Sequence, residues 1–182
     1  MTETPVTRAV LRALEAGGVT HVIGIPDNTS GALFHALLGH PALRLVGVTR
    51  EGEAFAMASG LWLGGASPLV LVQNTGFLES GDALRGTAIR MGVPLPFIVT
   101  GRGYAKMDAA GLGPGTPRTP ELLTRAELDS VAFMTEPTLQ AWGVPYRVCR
   151  PGEDPAAAIA LLLEETRAGE HPRALLISAE LA

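Results

Sequence analysis

The sequence predicts an α/β fold: a three-layer, doubly wound, mostly parallel sheet of about six strands with helices on both faces. Three observations predict it. Short apolar runs with strand character alternate with helix-patterned segments from end to end. Several runs, such as 68–72 (PLVLV), are apolar at every position, as strands covered on both faces are. The 182 residues are 47% hydrophobic, enough for one core, and no repeat, low-complexity tract or linker divides them. Residues 1–182 therefore read as a single domain.

Each element has its own local reason. Val6, Ala9, Val10, Ala13 and Leu14 fall at helical spacing over 6–16, and Gly17-Gly18 ends that helix. Residues 20–25 (THVIGI) are short, apolar and β-branched, hence a strand. The polar turn 26–31 (PDNTSG) is rich in helix-capping types and precedes a helix over 32–38. Residues 43–48 (LRLVGV) form the second strand, and the alanine-rich, proline-free stretch 51–63 a helix. The third strand spans 68–72. A loop is expected over 73–80, a helix over 81–91 and a fourth strand over 95–99 (LPFIV). Glycines and prolines crowd 101–120, which reads as irregular. Then come a helix over 131–142, a strand over 146–149, a helix over 155–168 and a strand over 174–178.

Composition excludes several classes. The net charge of −4 argues against a nucleic-acid binder. One cysteine, Cys149, rules out a disulfide scaffold and a cysteine-rich zinc site, and His21, His35, His40 and His171 lack metal-ligand spacing. No stretch is long and apolar enough for a membrane span. The start (MTETP) lacks the basic and apolar regions of a signal peptide, so a cytoplasmic protein is expected. The mean hydropathy of +0.25 is high for such a protein, and a large buried partner interface explains it most simply. Lys106 is the single lysine; all other basic side chains are arginines.

Ligands of doubly wound sheets bind beyond the carboxyl ends of the strands. The loops beginning at Pro26, Thr49 and Gln73 leave those ends. None carries a G-x-G-x-x-G, a G-x-x-x-x-G-K-[ST] or a G-x-S-x-G motif. What they carry is Glu51, where a buried strand becomes a helix of small residues. Read from spacing alone, Glu51 and Glu53 are carboxylates favoured at any helix N-terminus by the dipole.

The run E-x-x-A-x-x-x-A-x-G at Glu51, Ala54, Ala58 and Gly60 resembles the glutamate-bearing segment of the pyrimidine-binding domain of thiamine-diphosphate enzymes. The resemblance covers nearly the whole chain. The loop 24–28 (GIPDN) looks like the first substrate-side loop of that domain. Residues 72–76 (VQNTG), 100–103 (TGRG), 142–146 (WGVPY) and 173–177 (RALLI) are similar to the α-subunits of sulfopyruvate and phosphonopyruvate decarboxylases. The segment 77–80 (FLES) departs from them, being bulkier and acidic. The family's G-D-G and N-N motif for diphosphate and Mg²⁺ is absent from this chain, so the chain resembles half of an active site.

The resemblance implies that Glu51 is catalytic, holding a hydrogen bond to the aminopyrimidine ring of thiamine diphosphate, and that a 2-oxo acid loses CO₂ there. It implies a second acid at Asp27, whose other reading is a cap for the helix that follows. Pro26, Gln73, Asn74 and Gly76 would line the cofactor; Gln73 and Asn74 read otherwise as loop-ordering polar groups. Asn28, Arg102 and Lys106 would face substrate. Arg50, Arg102, Lys106 and Arg118 are either grips for a sulfonate or phosphonate or ordinary solvated charges. Mg²⁺ and the diphosphate would be held by a β-subunit, in an α2β2 or larger hetero-oligomer. The same chemistry could instead serve carboligation, or the chain could be a scaffold that keeps only the fold.

Overall fold

The computed structural model describes residues 4–178; residues Met1, Thr2 and Glu3, on which the reading of the start rests, lie outside them. Six parallel strands form one sheet: β1 (His21–Gly24), β2 (Arg44–Gly47), β3 (Pro68–Gln73), β4 (Pro96–Thr100), β5 (Tyr146–Cys149) and β6 (Arg173–Ile177), in the order β2-β1-β3-β4-β6-β5. The expected parallel, two-sided architecture is thus present, and every strand pairing is parallel.

The alternation of side chains along the strands builds two cores. Val70, Val72, Phe97, Val99 and Leu176 face one layer. Their neighbours Leu69, Leu71, Ile98, Leu175 and Ile177 face the other. Helices α1 (Pro5–Ala16), α2 (Gly31–Leu37) and α9 (Pro155–Arg167) cover the second face through Val10, Leu14, Leu33, Phe34, Ile159 and Leu163. Helices α3 (Glu51–Leu63), α4 (Asn74–Glu79), α5 (Gly81–Leu84) and α8 (Ser130–Ala141) cover the first through Phe55, Phe77, Leu84 and Phe133. Helix starts follow sequence chemistry: Thr4 and Asp154 accept hydrogen bonds from Thr7 and Ala156 N–H and precede a proline at the first helical position.

Three segments differ from the sequence reading. The expected loop 73–80 contains α4. Six residues do not hold a helix by propensity; this one is held by Phe77, fully buried between the rings of Phe97 and Trp142, and by the Ser80 hydroxyl donating to the Gly76 carbonyl. The helix expected over 81–91 is two pieces, α5 and a π-helical turn at Arg85–Ile89, where the Thr87 hydroxyl bonds the Ala83 carbonyl. The stretch 101–120 is not wholly irregular: Tyr104 and Met107, one turn apart and buried, anchor a short α6 (Tyr104–Ala109), and α7 (Pro120–Leu123) starts at the stretch's end.

Among the described residues no helix is long and apolar enough to cross a membrane. Helix α3 is unusual in another way. It buries Ala54, Phe55, Ala58 and Ser59, yet its other sides expose Met57, Trp62 and Leu63. A surface helix normally turns a polar face outward.

Gly24 ends β1 where a Cβ would fall on the backbone carbonyl of Leu71 in β3. Gly24→Ala is expected to cost about 1–3 kcal/mol by forcing the two strands apart; chemical denaturation of the purified chain measures it.

Candidate active site

Helix α2, which follows β1, lies in one layer, and α4, which follows the adjacent β3, lies in the other. The chain therefore diverges between the carboxyl ends of β1 and β3, the position at which doubly wound sheets bind ligands. The loop 25–30 leaves β1 there, α4 leaves β3, and the start of α3 lies against α4.

Three carboxylates lie at the start of α3, and two of them serve it. Glu53 turns back to accept from the Thr49 and Arg50 N–H groups at 3.0 and 3.3 Å, the glutamate half of a capping box, while its own N–H donates to the Arg50 carbonyl. Glu79, the last residue of α4, accepts from the Gly52 N–H at 3.1 Å and pairs with Arg50. Hydrogen bonds from Thr49 hold the Glu53 carboxyl below the usual carboxylate range, and the Arg50 guanidinium does the same to Glu79. Glu51 takes no part. Among the described residues its carboxyl makes no hydrogen bond or ion pair, although it sits in the first helical turn and is only half-exposed.

Glu51 lies on Gly76. A Cβ at Gly76 would fall within the space of the Glu51 Cγ and carboxyl group. The bare backbone of α4 is what lets the Glu51 side chain lie flat against it.

Asn74, the first residue of α4, is fully buried. Its Nδ2 donates to the Arg102 carbonyl at 2.8 Å, tying α4 to the loop after β4. Its Oδ1 is buried with no hydrogen-bond partner among the described residues. Gln73 is half-buried, and its Oε1 accepts from the Thr75 hydroxyl at 3.3 Å.

Asp27 is fully engaged. One oxygen accepts from the Thr29 and Ser30 N–H groups at 2.6 and 3.0 Å, and the other from the Thr100 hydroxyl at 2.6 Å. It thereby closes the turn that precedes α2 and reaches past β3 to the end of β4. Pro26 and Asn28 beside it are exposed.

The basic candidates separate. Arg118 points at the protein: it donates to the carbonyls of Pro114, Thr116 and Phe133 and stacks on the Phe133 ring at 4.8 Å. Pro137 inside α8 has no N–H to offer the Phe133 carbonyl four residues back, and Arg118 supplies the missing donor. Arg102 pairs with Asp129 at 3.0 Å with its side chain largely in solvent. Lys106 is exposed on α6 and has no ion-pair or hydrogen-bond partner among the described residues.

The structure thus brings Glu51, Asn74 and Gly76 together, ties Asp27 to the neighbouring strand end, and turns Arg118 away. The partners that sequence reading missed are Glu79, Thr100 and Asp129. Glu79 was visible only as an acidic residue in an atypical segment, because its partners lie 27 and 29 positions earlier.

With this geometry in hand, comparison with known proteins is informative. Residues 4–123 match the family described as thiamine pyrophosphate enzyme, N-terminal TPP binding domain. A phosphonopyruvate decarboxylase of Streptomyces viridochromogenes is 37% identical over 86 residues, 47% of this chain and 22% of that protein. The sulfopyruvate decarboxylase subunit alpha of Methanococcus maripaludis is 27% identical over 122 residues, 67% of this chain and 73% of that subunit. The match thus spans under a quarter of the phosphonopyruvate decarboxylases' length. A benzoylformate decarboxylase of Polynucleobacter necessarius shares the fold, with a TM-score of 0.65 at 19% identity over 97% of this chain and 30% of that one. With 120 of its residues inside that match, this chain belongs to the thiamine pyrophosphate enzymes and contains their N-terminal TPP binding domain.

Proposed function

We propose that this chain is the pyrimidine-binding subunit of a two-chain thiamine-diphosphate-dependent decarboxylase. Its substrate would be a small 2-oxo acid with an anionic tail, of the sulfopyruvate or phosphonopyruvate kind. The observation that carries the reading is the unbonded carboxyl of Glu51. The helix dipole favours a carboxylate in the first turn whether or not it bonds, but a carboxylate placed there to cap would accept from the N–H groups. Here Glu53 and Glu79 hold the available donors, and Glu51 is left with its functional end free.

The residues present fit a flat heteroaromatic ring. Gly76 lets the Glu51 side chain lie against the backbone of α4, and Asn74 holds a buried, unused acceptor at the start of the same helix. Glu51 and Gly76 would hold the aminopyrimidine, with Pro26, Gln73 and Asn74 around it. When bound, thiamine diphosphate supplies an acceptor for the electron pair left behind as CO₂ departs. The protein's part would be to place the Glu51 carboxyl against the ring, within hydrogen-bond reach of it.

Asp27 has both oxygens bonded, which favours its reading as the brace of the first loop over that of a mobile proton relay. Lys106, unpaired on α6, is better disposed to meet an anionic tail than Arg102, whose charge is shared with Asp129. Asn28 is free to reach substrate at the mouth.

Mg²⁺ and the diphosphate would fall to a β-subunit. Support comes from the relatives called subunit alpha and from the apolar outer side of α3, with Met57 42% and Leu63 59% exposed. We read the complex as a cytoplasmic α2β2 or larger hetero-oligomer.

The test is to purify the chain with the partner it recruits in its native cell, then assay CO₂ release from sulfopyruvate and phosphonopyruvate. Glu51→Gln is expected to lower kcat by about 10²–10⁴-fold with the fold intact; full activity in that variant refutes the reading. Gly76→Ala gives a second check. Alanine suits a helix better than glycine, so the melting temperature should hold, whereas displacement of Glu51 should lower kcat by about 10²-fold.

A further inference from the structure

Glu79 grips α3 on both sides of Glu51. One carboxylate oxygen receives the Arg50 guanidinium and the other the Gly52 N–H at 3.1 Å. Residues 50 and 52 are the immediate neighbours of Glu51 in sequence. Three positions earlier on α4, and so on the same face of that helix, Gly76 receives the Glu51 side chain itself. One face of α4 thus does two things to one residue: it clears space for the side chain and holds the backbone on either side of it.

The anchor is firm enough for that task. Phe77 is fully buried against Phe97 and Trp142, and Ser80 bonds back to Gly76. A Cβ at Gly52 would make only ordinary contacts, 3.5 Å from Glu79 Oε2 and 3.6 Å from the Ala83 Cβ of α5, so the grip depends on the Gly52 N–H and not on the missing side chain.

The pairing also disposes of a competitor. Arg50 carries a positive charge next to Glu51 in sequence, and its guanidinium feels Glu79, Glu53 and Glu51, Glu79 most strongly. Left without Glu79, Arg50 has Glu53 and Glu51 as alternative carboxylates. The other charges near this corner are already engaged: Glu53 with Thr49 and Arg50 N–H, and Asp82 of α5 with Arg85. An exposed ion pair of this kind contributes little to stability. Its consequence here is that the Glu51 carboxyl stays without a partner.

We propose that Glu79 is a positioning residue for Glu51: by holding Arg50 and the Gly52 N–H, it fixes the start of α3 and keeps Arg50 from pairing with the Glu51 carboxyl. The inference rests on the reading of Glu51 as the group that meets the cofactor, and it gives a role to the acidic residue of the segment 77–80.

The experiment uses the full chain labelled with carbon-13 at its glutamate carboxyls, with the Glu51 signal assigned through E51Q. In the isosteric variant E79Q the Glu51 signal is expected to move at fixed pH, as Arg50 swings to it. In R50Q/E79Q it is expected to return to the wild-type position. A signal that stays in place in E79Q overturns the proposal, and one that moves but does not return in R50Q/E79Q overturns the part given to Arg50. In the assembled enzyme E79Q should lower kcat by about tenfold while KM changes less than about twofold; unchanged kcat also overturns it. The carboxyl signal is read without cofactor or partner. Should E51Q prove active, the catalytic reading of Glu51 falls, and the signal still decides whether Glu79 controls its surroundings.

Discussion

The contact between the Glu51 side chain and the bare backbone of Gly76 is the constraint on which the upper surface of this protein depends. A carboxylate at the start of a helix is ordinarily drawn onto the free N–H groups there. For Glu51 to lie across α4 instead, those groups must be satisfied by others, and α4 must be held at a fixed distance. Glu53 and Glu79 meet the first requirement. Phe77, wedged between Phe97 and Trp142, meets the second. A six-residue helix that would not form alone becomes a rigid shelf because one aromatic side chain is driven into the core.

The arginines illustrate how little a charge in a promising loop says by itself. Arg118 looked like an anion grip, yet it repairs a carbonyl that Pro137 leaves without a donor, and it lies over Phe133. Arg102 gives part of its charge to Asp129, and Arg50 to Glu79. Each guanidinium is a planar set of donors that finds carbonyls and carboxylates within reach. Lys106, a point charge on an exposed turn, has found none among the described residues.

The partner proposed to complete the site has a physical counterpart on the outside of α3. That helix buries one side in the core and turns Met57 and Leu63 to solvent, a pattern suited to a helix enclosed on both sides. The surplus hydropathy of the whole chain collects in part on this helix, next to the residue proposed to meet the cofactor. An apolar helix face beside the candidate site is what a subunit needs if its reaction takes place at a boundary with another chain.

The alternation of strands and helices, the parallel sheet and the position of Glu51 at a strand-to-helix junction were legible in the sequence, because they rest on local periodicity and on burial of whole apolar runs such as 68–72. Helix α4 was not legible, because its stability comes from Phe97 and Trp142, far along the chain. The tasks of Asp27, Glu79 and Arg118 were not legible either, since their partners Thr100, Arg50 and Phe133 are 73, 29 and 15 positions away. The sequence by itself determined which residues carry charge and which segments become strands and helices. Which of those charges are occupied and which is left free was decided only by the tertiary structure, because a hydrogen bond answers to distance in space and not to separation along the chain.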